Sequence, residues 1–158
     1  MSGFMQRIEQ LLGFRPQNSE RAAAALTHPS YLHQHTTAGG HNQRLEFLGD
    51  AVLGLIVAEE MYSKVGAEEG RLTQGRAAVV STQALASASR RLMLGDLLRM
   101  SDAAVQAGDN QQNKVLADAF EAMVALAYLE GGMEAARAFV IRHLQDEMVA
   151  AVAGGAHL

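Results

Sequence analysis

No cysteine and no tryptophan occur among the 158 residues, and there are only two prolines. Without thiols there can be no disulfide, no Cys-ligated zinc and no thiol catalysis, which agrees with a reducing compartment. Long apolar runs are missing as well. The longest, "AVLGLIVA" and "AMVALAYL", fall far short of the ~20 residues that cross a bilayer. The opening "MSGFMQRIEQLLGF" places Phe4, Ile8, Leu11 and Leu12 at helical spacing with charges between them, the pattern of an amphipathic helix rather than a secretory leader. A cytoplasmic protein with no membrane partner is therefore expected. Positive charge is also scarce: 13 Lys and Arg against 17 Asp and Glu give a net charge of −4. Affinity for nucleic acid rests largely on neutralising phosphates, so a polyanionic partner would need a local basic surface or bound cations.

What is present is a helix former. Apolar residues make up 49 % of the chain, enough for a substantial core in one domain spanning residues 1–158. Eight methionines and few aromatics suggest helices packed through aliphatic side chains. No period-2 run stands out, so the expected class is all-α. Helices are expected over about Gly3 to Leu12, from a Ser19 cap to the residue before Pro29, and from Asn42 to Ser63. Others should begin within "GAEEGRLTQGRAAVV", run from a Ser81 cap to Gly95, and cover "DLLRM". A further helix from Gln112 to Leu129 should end at the Gly131–Gly132 pair, and a last one should cover Met133 to Val152. "SYLHQHTTAGGHN" and "SDAAVQAGDNQQN" read as polar loops, and the tail from about residue 152 as flexible.

Two of these helices carry acids where burial would be expected. Glu46 and Asp50 are i,i+4 in "NQRLEFLGDAVLGLIV"; Asp118 and Glu121 are i,i+3 in "VLADAFEAMVALAYLEGG". Each pair projects from one stripe of its helix. Unpaired buried ions cost several kcal/mol each, on the order of the residual Born penalty. Three readings account for them: ion pairs with Arg44 and Lys114, an oligomer interface, or two helices converging on a hard divalent cation. Two cations serve four acids poorly, whereas Mg²⁺ takes oxygen ligands and turns an acidic cleft into a phosphate-binding one. A di-iron bundle would want Glu-x-x-His pairs, and neither acid pair includes a His; a glycosidase pair stays open in principle, but the helical setting and the few aromatics to stack sugar fit it less well.

"NQRLEFLGDAVL" resembles the signature of the ribonuclease III family, and "LADAFEAMVALAYLEGG" is similar to its second acidic block. "ALTHPSY" and "EGRLTQGRAAVVS" match two more blocks in the same order. The resemblance implies an all-α, homodimeric endonuclease domain. It would hydrolyse double-stranded RNA to 5′-phosphate and 3′-hydroxyl ends in the processing of ribosomal or other structured RNA. It implies Mg²⁺ as cofactor, with Mn²⁺ as a substitute. By motif position, Glu46, Asp118 and Glu121 are implied to bind the metal. Asp50 and Glu121 are implied as catalytic residues, Asp50 through water rather than by direct ligation. Phe47 is implied to pack into a socket on a partner subunit; read from the residues alone it is ordinary core.

One departure stands in the signature, where Gln43 occupies a position usually held by Glu. At i−3 from Glu46 it can face the same cleft as an RNA contact. Arg71 and Arg76, in the fourth block, are expected to contact RNA, with Arg90 and Arg91 adding to the basic set. His33, His35 and His41 read as polar loop, and His28 as a hydrogen-bonding residue beside Pro29. Family members typically continue into a double-stranded-RNA-binding domain; its pattern is missing from these 158 residues, a length comparable to mini-ribonuclease III. Weak, salt-dependent RNA binding is expected from the catalytic domain alone. A non-catalytic RNA-binding scaffold on the same fold is the alternative, disfavoured by four intact acids.

Overall fold

The computed structural model describes residues 2–35 and 39–156, with the side chains of residue 2 and of residues 154–156 left aside. In chain order the α-helices are α1 (Ser2–Leu12), α2 (Ser19–Ala25), α3 (Tyr31–Gln34), α4 (Gln43–Lys64) and α5 (Glu69–Val79). They continue with α6 (Thr82–Arg91), α7 (Leu94–Leu97), α8 (Asp102–Gln106), a 3₁₀ turn at Asp109–Gln111, α9 (Asn113–His143) and α10 (Gln145–Ala156). No strand occurs among the described residues; a lone parallel bridge joins Thr27 to Arg99. The all-α class read from the sequence is the class observed.

The core is built on α9. Leu116 to Leu126 brings a nearly continuous run of buried side chains, and α4 crosses it with Val52, Leu53, Ile56, Val57 and Met61. Ile8, Leu11 and Leu12 of α1, Ala22 and Ala25 of α2, and Leu85 and Ala88 of α6 complete one connected cluster around this pair. Phe120 and Phe139, both fully buried, meet at 5.4 Å between ring centroids. Because α9 is enclosed on several sides, it is apolar nearly all round rather than along one stripe.

Several local expectations are corrected. The cap of α2 is Asn18, whose side chain accepts from the Arg21 N–H, and Ser19 is already helical. The first expected loop contains α3 and the second contains α8. At the Gly131–Gly132 pair the first helical stretch of α9 does end as expected: Gly132 takes φ 76° and ψ −174°, outside helical geometry, and a second stretch follows across the kink. That helix then breaks at Leu144 (φ −116°, ψ 20°), and α10 runs on to Ala156, past the expected start of the flexible tail. Ser81 caps α6 as expected, accepting from the Ala84 N–H.

Candidate active site

The acids meet where α4 crosses α9, and the crossing is close because Gly49 has no side chain. A Cβ on Gly49 would lie 1.7 Å from the Glu121 carbonyl oxygen. The backbones therefore touch at Gly49, one residue from Asp50 and three from Glu46, so both α4 acids face those of α9. The sequence reading does not single out Gly49; a glycine inside an otherwise good helix pattern is the available signal.

Glu46, Asp118 and Glu121 each offer a carboxylate oxygen, and these oxygens lie within 4.8 Å of one another. Glu121 is buried at 8 % exposure, while Glu46 and Asp118 are half-buried. Asp50 is exposed at the rim, beside Glu121. Burial pushes the Glu121 carboxyl up to about 9, helped by the adjoining Asp50 carboxyl and by the charges of Glu46 and Asp118. The Glu46 carboxyl is also raised, first by burial and then by the charge of Asp118. A site that strains against its own negative charge in this way is suited to a cation. The donor set fits Mg²⁺ chemically: all ligands are oxygen, and neighbouring ligands around Mg²⁺ lie about 3 Å apart given its ~2.1 Å bonds, within reach of a small side-chain adjustment.

One basic side chain reaches the cluster. Lys114, one turn before Asp118 on α9, places its Nζ 3.2 Å and 3.3 Å from the two Asp118 oxygens. Its ammonium pKa is raised by that hydrogen bond and by the Asp118 charge. The ion-pair reading of the acids is thus realised at one acid of the four. Arg44 is placed elsewhere, lining a groove of about 980 Å³ beside Phe47.

The loop blocks serve as framework for the start of α4. The Thr27 Oγ1–H donates to the Ala23 carbonyl and its oxygen accepts from Arg99 Nε, while its own carbonyl accepts from the N–H of buried Asn42. His28 Nδ1 accepts from the Ser30 N–H, and burial lowers the His28 pKa. His35 stacks on Tyr31 at 4.0 Å, and His41 Nδ1 accepts from the Gln43 N–H. Among the described residues the acidic triad forms a metal-capable group, and the histidines do not.

Three of the four arginines of the basic set are tied to other elements. Arg71 donates to the Ala151 carbonyl at 2.9 Å, which ties α5 to α10. Arg90 donates to the Gln111 carbonyl and Asn113, and Arg91 forms a two-pronged pair with Glu147 at 2.8 Å and 2.9 Å. Arg76 and Gln43 are exposed, but Arg76 lies beside Ala58, Met61 and Tyr62. Ala58 is about 22 Å of helix axis from Gln43. Arg71, Arg90 and Arg91 thus hold elements together, and Arg71 and Arg91 both come close to Glu147. Phe47 is 80 % exposed rather than core.

A ribonuclease-III-like family model matches residues 18–148. Ribonuclease 3 of Syntrophomonas wolfei is 43 % identical over 139 residues, covering 87 % of this chain and 59 % of that relative. Ribonuclease 3 of Moorella thermoacetica is 46 % identical over 144 residues, covering 87 % and 61 %. The chain thus spans about three fifths of the length of these curated relatives. A solved nuclease domain of Campylobacter jejuni ribonuclease III, described for structural flexibility in a region involved in dimer formation, superposes with a TM-score of 0.83 at 34 % identity. That likeness covers 92 % of this chain and 99 % of the other. A match over so much of the sequence, on the same all-α architecture, makes this chain a member of the ribonuclease-III-like family.

Proposed function

We propose that the chain is the catalytic domain of a divalent-metal-dependent endoribonuclease that hydrolyses double-stranded RNA, with Mg²⁺ as cofactor and Mn²⁺ able to replace it. The observation that carries this reading is the convergence of Glu46, Asp118 and Glu121 across the α4–α9 contact, in a rim-open site that burial and mutual repulsion have prepared for a cation. Glu46, Asp118 and Glu121 hold the metal. When bound there, it neutralises a phosphodiester and lowers the pKa of water enough for hydrolysis at neutral pH. Asp50, exposed beside Glu121, acts through water held at the edge of the site. Gln43 and Arg76 are the RNA contacts of this reading; Arg71 supports α5 from behind.

The working unit is proposed to be a homodimer. Phe47, Ala51, Leu55, Ala58 and Tyr62 fall within about 80° of one another around α4, taking ~100° per residue. All but half-buried Ala58 are exposed, Phe47 at 80 %, Leu55 at 51 % and Tyr62 at 81 %. A stripe of that kind on one long helix suits an isologous contact with a second copy. The groove beside Phe47, lined by Leu32, His41, Leu45, Leu48 and Leu129, offers an apolar seat for a partner's Phe47. Asp50 and Glu46 lie along one flank of the stripe, so dimerisation would bring two acidic sites to one shared face.

Cleavage of a long labelled RNA duplex at low salt, with Mg²⁺ and with chelator, tests the function. Short duplex products with 5′-phosphates are expected only with Mg²⁺. Glu121→Gln keeps the shape of the side chain and removes a ligand charge, so it should lower the rate at least ~10³-fold, the scale of losing a main electrostatic contributor, without lowering Tm. A fully active Glu121→Gln protein would overturn the metal assignment; a folded but inert wild-type dimer would favour a scaffold.

A further inference from the structure

We infer that Lys114 is an internal counter-ion that occupies Asp118 in the metal-free protein and must be displaced for a divalent cation to bind, so that it sets the metal affinity of the site. The inference rests on the proposed metal site and adds to it a residue that the ligand set does not include. Both Asp118 oxygens are engaged by the Lys114 ammonium, at 3.2 Å and 3.3 Å. Asp118 is also one of the three acids whose oxygens converge. An ammonium lying across both oxygens puts a positive charge where a metal bound to Asp118 would put its own, so entry of the metal drives this ion pair apart.

The geometry makes displacement easy. The Lys114 side chain is 77 % exposed against 25 % for Asp118, and the pair is spaced i,i+4 on α9 with the lysine first, the weaker orientation of such a pair on a helix. A flexible ammonium can swing into solvent without repacking anything. Arg44, the other cation near these acids in sequence, lines the groove beside Phe47. Lys114 therefore offsets repulsion among the ionised carboxylates while no metal is present, at the expense of affinity when metal arrives.

The test compares wild type, Lys114→Met and Lys114→Arg, all without RNA, using Mn²⁺ as the probe. Isothermal titration should show Mn²⁺ binding to Lys114→Met roughly threefold or more tighter than to wild type, the scale of one weak ion pair plus one repelling charge. Lys114→Arg should bind like wild type. Thermal unfolding gives a second readout: in chelator Lys114→Met should melt below wild type, and saturating Mn²⁺ should erase or reverse that difference. A merely structural lysine would lower Tm equally in both conditions, which would overturn the inference. Equal Mn²⁺ affinities in wild type and Lys114→Met would overturn the role of Lys114 alone. No binding to either protein would overturn the metal site and the inference together.

Discussion

Glu121 is the residue on which the chemistry and the stability of this molecule meet. Its carboxyl, ordinarily at 4.5, is raised to about 9, first by burial and then by Asp50. In the metal-free protein the native state therefore keeps a proton on Glu121 between about pH 4.5 and pH 9, where the unfolded chain has lost it. The favourable contribution is complete below 4.5 and disappears as pH rises through 9, so metal-free stability should decline across that window. A metal ligand has to be ionised, so binding below pH 9 must expel that proton. Mn²⁺ titration at pH 7 and pH 8, each in two buffers of different ionisation enthalpy, should show close to one proton released. Apparent affinity should rise up to about tenfold per pH unit. Binding that is independent of pH and releases no proton would mean that Glu121 is ionised before metal arrives, contrary to its surroundings. In Glu121→Gln the proton signal should vanish.

The elements that matter are α4 and α9, and their contact is set by glycine. Gly49→Ala would drive a methyl group into the Glu121 carbonyl, with backbone on both sides and nothing able to rotate away. Overpacking of this kind costs about 1–3 kcal/mol or more, and parting the helices would also separate Glu46 from Asp118 and Glu121. Gly49→Ala should thus lower Tm and Mn²⁺ affinity together. Gly70→Ala is the control: it sits in the first turn of α5, where a methyl group would meet nothing within 4 Å, and should be neutral or stabilise by up to about 1 kcal/mol. If Gly49→Ala melts like wild type, the close crossing is not what holds the acids.

The same two helices are the most legible in the sequence, because their apolar runs are long and the acids inside them are anomalous enough to need a reason. The Gly131–Gly132 pair is legible as the interruption it is, because Gly132 takes φ 76° and ψ −174°, where the helical geometry of α9 lapses. Helices α3 and α8, of four and five residues, read as loop because neither is long enough to show a period. They are held by each other instead: Gln34 Oε1 accepts from the Asp102 N–H, and Ser30 Oγ accepts from the Ser101 N–H. Ties across 68 and 71 residues leave no trace in a local window. The partners of Arg71, Arg90 and Arg91 are hidden for the same reason, lying 80, 21 and 56 residues away along the chain.

At the scale of the whole molecule the problem is charge. The chain carries −4, and Arg71, Arg90 and Arg91 are spent on helix clamps, so one protomer presents little that would attract a polyanion. Two protomers joined along α4 would place two metal-loaded sites and two copies of Arg76 against one duplex, making affinity a property of the assembly. Leu55→Arg separates this from simple electrostatics. Leu55 is half-exposed in the middle of the α4 stripe, so an arginine there should fold normally, yet in an isologous contact it meets its own copy near the centre. Two buried like charges should weaken the dimer by several kcal/mol, on the order of an uncompensated buried charge, giving monomer at micromolar concentration by sedimentation. If RNA binding followed net charge alone, the added arginine would strengthen it. If the shared face does the binding, Leu55→Arg loses both duplex affinity and cleavage despite being more positive, and its Mn²⁺ affinity stays that of wild type because Glu46, Asp118 and Glu121 come from one chain.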